Sequence, residues 1–264
     1  MADTQERGSV PDPTAYKLPA VARPERYALR LTPELAAFTF TGEEVIAITI
    51  REPLDEIVLN AIELAIHSTA ITSAQGKRYT GTVSLDEAHE RATLRFSTVL
   101  EPGAWTLHLT FSGTLNDKLH GFYRSRYRDA SGQEKVLACT QFESTDARRA
   151  FPCWDEPAFK AVFQTTLIVD EGLTAISNSR IVRETALAGS GKKEVVFADS
   201  IKMSTYLVAF IVGELEATAP TFVGGKPLRI WAVPGKRHLA KFAQAIGAAS
   251  LAFFSRYYGL EYPG

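Results

Sequence analysis

The stretch Cys139-Thr-Gln-Phe-Glu-Ser-Thr-Asp-Ala-Arg-Arg-Ala-Phe-Pro-Cys-Trp-Asp-Glu-Pro157 crowds Gln141, Glu143, Asp146, Arg148, Arg149, Asp155 and Glu156 among Phe142, Phe151, Trp154 and prolines. Charges and large apolar groups must therefore share a small volume. Partly desolvated carboxylates beside guanidinium groups keep their charge and form strong, oriented hydrogen bonds, the chemistry of a recognition site for a charged ligand. A carboxylate such as Glu143 can hold an ammonium group. The competing reading is that ion pairs fix this loop against its neighbours, and composition alone favours it for most of these residues.

Other chemistries leave no comparable trace. The 5 histidines, His67, His89, His108, His120 and His238, include no pair at the spacing of H-E-x-x-H, which would put two imidazoles and a carboxylate on one helical face. They read as surface or hydrogen-bonded side chains. Cys139 and Cys153, the 2 cysteines, supply at most half of a structural zinc site and read as buried free thiols. The nucleophile elbow G-x-S-x-G, the P-loop and the dinucleotide-binding glycine fingerprint are all missing.

The elements that must position the charged stretch are mostly strands. Tyr27, Leu29 and Leu31 share one face at period two, and Ile46, Ile48 and Ile50 share another beyond a turn placed at Thr41-Gly42. The pattern continues through Ile57-Val58-Leu59, Ala92-Leu94-Phe96 and Trp105-Leu107-Leu109-Phe111, with Pro102-Gly103 and Gly113 read as punctuation. Phe163-Thr165-Leu167-Val169 alternates cleanly, and Gly189-Ser190-Gly191 marks a hairpin turn. The continuous apolar run from Tyr206 to Val212 predicts a strand covered on both faces. Short strands and short turns predict a mainly β fold, a large antiparallel β-sandwich that curls or splits into sheets. After Pro234-Gly235 the period changes: Leu239, Phe242, Ile246, Ala249, Phe253 and Tyr257 recur on one helical face, with Arg256 in the last turn and Gly259 at the C-terminal cap. One long C-terminal helix is predicted there.

Composition narrows the function. The chain has 264 residues, 45% of them hydrophobic and 22% charged, which is the make-up of a globular chain. Lys plus Arg number 29 against 30 Asp plus Glu, so the basic excess of a nucleic-acid binder is missing. The longest apolar run falls well short of a bilayer span, and the polar start at Met1 lacks the core of a secretory signal. With few cysteines, these features predict a cytoplasmic protein that binds neither nucleic acid nor membrane.

At the charged stretch the chain resembles the gluzincin zinc aminopeptidases, the family of aminopeptidase N and puromycin-sensitive aminopeptidase. Thr140-Gln-Phe-Glu143, Thr145-Asp-Ala-Arg-Arg-Ala-Phe-Pro-Cys-Trp-Asp-Glu-Pro157 and Lys160-Ala-Val-Phe163 carry the resemblance. Gly121-Phe-Tyr-Arg-Ser-Arg-Tyr127, Ile176-Ser-Asn178 and Met203-Ser-Thr-Tyr-Leu-Val-Ala-Phe210 support it, and it runs from about Pro24 to Gly264. The resemblance implies a saddle-shaped N-terminal β-domain over 18–233, after a disordered tail over 1–17. It implies that 234–264 opens a thermolysin-like catalytic domain, with its first helix from Lys236 to Tyr258. The G-x-M-E-N and H-E-x-x-H motifs of that domain do not occur in this sequence. The chain is therefore expected to be an inactive fragment, with zinc in the full-length enzyme and none bound here.

Two site residues are implied by the resemblance. Glu143 matches the glutamate of the T-Q-x-E motif, which helps bind the free α-ammonium of the peptide substrate, and Gln141 matches a residue lining the first side-chain pocket. A carboxylate facing an ammonium contributes about 1.5–3 kcal/mol, enough to select a peptide end over an internal amide. Asp146, Arg148, Asp155 and Glu156 are assigned to structural ion pairing at the domain junction. The implied partners are the substrate N-terminus and the chain's own catalytic domain. The alternative is a stand-alone β-sandwich that uses the same acidic patch to bind a partner protein or cationic peptide. The apolar stripe of the C-terminal helix is expected to lack a partner in this chain.

Overall fold

Alternating side chains produce long strands wherever one face can be buried, and the computed structural model follows that rule over residues 17–263, which it describes. The expected tail over 1–17 lies outside the described residues except for Lys17. Fourteen strands build the two main sheets: β1 (Ala22–Glu34), β2 (Thr39–Ile50), β3 (Leu54–Asn60), β4 (Leu64–Ser73), β5 (Arg78–Asp86), β6 (Arg91–Leu100), β7 (Gly103–Thr114), β8 (Gly121–Arg128), β9 (Glu134–Gln141), β10 (Val162–Asp170), β11 (Thr174–Ser177), β12 (Ile181–Leu187), β13 (Lys192–Phe197) and β14 (Phe210–Gly213). A 10-stranded sheet runs β12-β13-β10-β1-β2-β7-β4-β5-β6-β3, and a 4-stranded sheet runs β11-β14-β9-β8. Short pairs, Glu216–Ala217 with Trp231–Ala232 and Thr221–Val223 with Lys226–Leu228, lead to helix α1 (Lys241–Tyr258).

The inner face of the large sheet carries Tyr27, Leu29, Leu31, Ile46, Ile48, Ile50, Leu107, Leu109 and Phe111, all buried. The small sheet meets it where the Phe122 ring lies 5.2 Å from Phe40, and Phe122 stands edge on to Phe210 of its own sheet at 4.8 Å. Such contacts add to the area that the rings remove from water. The sandwich of two sheets is thus as expected, with one departure from antiparallel pairing. Strands β1 and β10 run parallel, from Arg26 opposite Val162 to Leu31 opposite Leu167. Parallel neighbours need a long crossover, and here the chain builds β2 to β9, two strands of the small sheet among them, before it returns.

Two glycines read as turn residues lie inside strands instead. Gly42 in β2 is paired with Phe111 in β7, and Phe40 in β2 with Gly113 in β7. Each ring occupies the space above its partner glycine: a Cβ on Gly42 would stand 2.4 Å from the Phe111 ring, and one on Gly113 would stand 2.4 Å from the Phe40 ring. The glycines exist to seat aromatic rings, and the chain reverses earlier, where Phe38 takes a φ of 57°. Gly42→Ala is expected to lower the unfolding free energy by about 1–3 kcal/mol, the usual cost of overpacking a full core. A urea midpoint equal to that of the unaltered chain, at the same m-value, would show that the ring gives way freely.

The run from Tyr206 to Val212 is another departure. Thr205–Leu207 forms a 3-10 turn, Leu207 is exposed, and only Phe210–Gly213 joins the small sheet. Asn178 explains the break: its amide group donates to the Leu207 carbonyl at 2.8 Å and accepts from the Ala209 N–H at 2.8 Å. Its side chain replaces a ladder partner. The C-terminal helix begins later than its apolar period suggests, because Arg237–Ala240 is a 3-10 turn that precedes α1. Gly259 caps α1 in the left-handed conformation, and the N–H groups of Gly259 and Leu260 return to the Arg256 and Ser255 carbonyls.

Candidate functional site

Strand β9 carries the chain to the candidate site. It is held between β8 and β14, and its last residue, Gln141, is paired with Gly121 of β8. The next residue, Phe142, is buried, with its ring edge on to Phe151 at 6.1 Å and to Phe210 at 5.8 Å. That anchor fixes the backbone on both sides and leaves Gln141 and Glu143 exposed. Gln141 Nε2 donates to the Glu143 carbonyl at 3.4 Å, and the Glu143–Ser144 peptide is cis. The Asp146 N–H donates to the Phe142 carbonyl at 2.9 Å, closing the turn. The Glu143 carboxylate itself has no hydrogen-bond or ion-pair partner among the described residues.

The rest of the charged stretch is occupied. Arg148 Nε binds Asp155 Oδ2 at 2.9 Å, and its Nη1 binds Glu90 Oε2 at 2.9 Å. Arg149 reaches Asp146 at 2.8 Å, Glu63 at 3.0 Å and Glu90 at 3.5 Å. Glu63 and Glu90 stand in the turns β3–β4 and β5–β6, both with positive φ. Asp146 also faces His120 Nδ1 at 3.5 Å, and Glu156 Oε1 accepts from the Leu18 N–H at 2.5 Å. These pairs therefore clamp the loop to the large sheet, as the bland reading of the stretch had it. The clamp also requires a glycine at Gly121. At a φ of +69°, it lets Arg149 pass where a Cβ would stand 2.9 Å from the arginine's own Cβ.

Both cysteines are free thiols, as expected, but only Cys153 is fully buried. Cys139 is half-buried and paired across the strands with Tyr123. The hydrogen bond between them, with burial, pushes the Tyr123 hydroxyl up to about 12, and burial raises the Cys139 thiol. Tyr123, Cys139 and Gln141 lie on one face of β8 and β9, because side chains on paired and alternate positions point the same way.

The sequence reading missed the partners that come from far along the chain: Asn60, Glu63, Glu90, His120 and Thr205. Nothing in their local spacing signals the role. No group of three His, Cys, Asp or Glu side chains is disposed to hold a metal ion among the described residues.

The fold is thus a β-rich domain that displays an unpaired carboxylate beside a glutamine, on a loop clamped from behind. The chain belongs to the peptidase M1 N-terminal domain family, whose profile matches residues 23–207. It is 41% identical over 248 residues to a puromycin-sensitive aminopeptidase of Caenorhabditis elegans, covering 94% of this chain and 26% of that protein. It is 44% identical over 247 residues to aminopeptidase M1-C of Oryza sativa subsp. japonica, covering 94% of this chain and 28% of the relative. With Aminopeptidase 2 of Candida albicans it shares 40% over 247 residues, covering 93% and 26%. The chain thus spans little more than a quarter of the length of these relatives.

Proposed function

We propose that this chain is the N-terminal substrate-anchoring domain of a zinc aminopeptidase that removes N-terminal residues from peptides, with Glu143 holding the substrate α-ammonium and Gln141 lining the first side-chain pocket. The observation that carries the reading is the exposed, unpaired Glu143 carboxylate on a loop where the neighbouring charges are already paired. A carboxylate in that state offers its full charge to an ammonium, and Phe142 fixes where it points. An internal peptide bond brings no charge to the same place, so the contact selects chain ends.

The catalytic domain is the partner proposed for the apolar face of α1. Leu239, in the turn before α1, and Phe242, Ile246 and Phe253 on it are all more than half exposed, Phe242 at 79%, and no residue of α1 is buried. A helix stabilised so little by its own packing gains from a partner that covers this stripe. The residues described here do not fit a zinc site, so the metal of the enzyme is assigned outside them and no step is routed through it. Two free thiols and the family reading support a cytoplasmic location. Among the described residues no helix is long and apolar enough to cross a membrane.

The test is Glu143→Gln in the full-length enzyme. Cleavage of peptides with a free N-terminus is expected to lose about 10- to 100-fold in kcat/KM, the value of one charge-assisted contact. Unchanged kcat/KM would refute the anchoring role. A normal urea midpoint for the variant would show that the loss is not one of folding.

A further inference from the structure

On the flank of the large sheet, away from Gln141 and Glu143 in the sequence, four segments converge on a cavity of about 320 Å³. Its lining includes Arg23, Glu25, Arg51, Phe159, Lys160 and Lys202. The backbone explains the convergence. A bulge in the β1–β2 ladder between Pro24 and Arg26 re-aims the start of β1. The Arg51 N–H donates to the Val21 carbonyl at 2.9 Å, which ties the end of β2 to the same place. An isolated antiparallel bridge joins Ala161 to Met203 through hydrogen bonds of 3.0 and 2.9 Å, bringing Lys160 and Lys202 to the same cavity.

The charge in this cavity is unbalanced. Glu25 is its carboxylate, and it pairs with Lys202 at 3.4 Å. Arg23, Arg51 and Lys160 have no carboxylate partner among the described residues. Arg23 is also held in place: its guanidinium stacks over the ring of Phe159 at 5.5 Å, and Phe159 is 5% exposed. Its Nε is shut off from solvent and has no hydrogen-bond partner among the described residues. A buried donor without an acceptor is costly, and cations gathered at one concavity repel one another. One kind of ligand relieves the repulsion among these cations, through the groups that line the cavity. It is an oxyanion with several acceptor oxygens, which planar guanidinium groups bind through paired N–H donors and lysines as point charges.

We propose that this cavity is a binding site for a small polyphosphorylated molecule, recognised by Arg23, Arg51 and Lys160. The site is independent of the peptide-anchoring role of Glu143. Pyrophosphate is the probe, titrated calorimetrically into the chain at constant ionic strength set with sodium chloride. Saturable binding of one pyrophosphate per chain is expected. Lys160→Gln, an exposed change that leaves the core untouched, and Arg23→Gln are each expected to weaken it about tenfold or more, the value of one charge-assisted contact. Citrate, which matches the charge without phosphorus, is expected to bind at least tenfold more weakly than pyrophosphate. Absence of saturable binding overturns the proposal, as does binding that both variants leave unchanged. Citrate binding as tightly as pyrophosphate overturns the assignment to phosphate.

Discussion

Asp155→Ala is expected to lower the unfolding free energy by about 3–5 kcal/mol, the cost of leaving one member of a buried ion pair without the other. Asp155 is 2% exposed and the Arg148 side chain 11%. The carboxylate is the node of several segments. Its Oδ2 receives Arg148 Nε at 2.9 Å, and its Oδ1 receives the Thr205 hydroxyl at 2.5 Å. The backbone of the same residue takes part as well, donating to Asn60 Oδ1 at 3.2 Å and accepting from Arg148 Nη2 at 3.2 Å. Removing the carboxylate leaves the Thr205 hydroxyl and one edge of the guanidinium without their acceptor, with little access to water in exchange. Glu90 still holds the other edge of Arg148, so the lower part of the range would mean that Glu90 takes up more of the charge. Urea unfolding with an unchanged m-value is the measurement, and a loss below about 1 kcal/mol would place this pair with ordinary surface salt bridges. Thr205→Val isolates the hydroxyl arm. Combined with Asp155→Ala in a double-mutant cycle, it should show coupling, because the two changes share a partner.

That network also shows which parts of the structure were legible in the sequence. The kinds of residue around Asp155 announced ion pairing, yet the pairs depend on Glu63, Glu90 and Thr205, brought in by sheet topology that local spacing does not encode. Strand faces were easier. Tyr27, Leu29 and Leu31 are buried as alternation requires, because a half-buried strand has a period of two whatever its neighbours are. Glycine misled, since Gly42 and Gly113 carry the same letter in a ring-seating role as in a turn, and only the register that sets them against Phe111 and Phe40 tells the roles apart. The run at Tyr206 misled for a related reason: hydrophobicity reported burial correctly at Val208 and Phe210 but not the side-chain bonds from Asn178 that interrupt the ladder. Glu143 was legible by resemblance to a motif. Its exposure and lack of a partner came only from the fold, through the anchoring of Phe142.

One residue of β2 breaks the alternation in a way that the sequence did display. Phe40, Gly42, Ile46, Ile48 and Ile50 face inward at even positions, and Glu44 occupies the even position among them. It is 1% exposed, flanked by Leu29 on β1 and Leu109 on β7. Neither carboxyl oxygen has a hydrogen-bond partner among the described residues. Burial holds the Glu44 carboxyl well above the usual carboxylate range, and the titratable groups that feel its charge are Tyr27 and Cys153. Both of these are themselves raised by burial, so both are uncharged at neutral pH and neither supplies a cation to offset an ionised Glu44.

Glu44→Leu is therefore expected to raise stability by about 1–4 kcal/mol at pH 7, as replacement of buried ionic groups by apolar ones of similar volume often does. The sign with pH follows from linkage. A carboxyl raised on folding contributes stability that is fully present below its unfolded-state value of about 4.3 and is lost as pH rises toward and through its folded-state value. Over that window the native chain should lose about 1.4 kcal/mol per pH unit relative to the variant. Below the window, the two should differ by a constant amount, set by packing and by the unpaired neutral carboxyl. Glu44→Gln keeps the shape and an unpaired polar group but cannot ionise, so it should remove the slope while recovering less of the stability. Unfolding free energies measured from pH 4 to pH 8 decide the matter: a difference between Glu44→Leu and the native chain that stays constant across that range would mean that Glu44 is not held as a neutral acid in the fold.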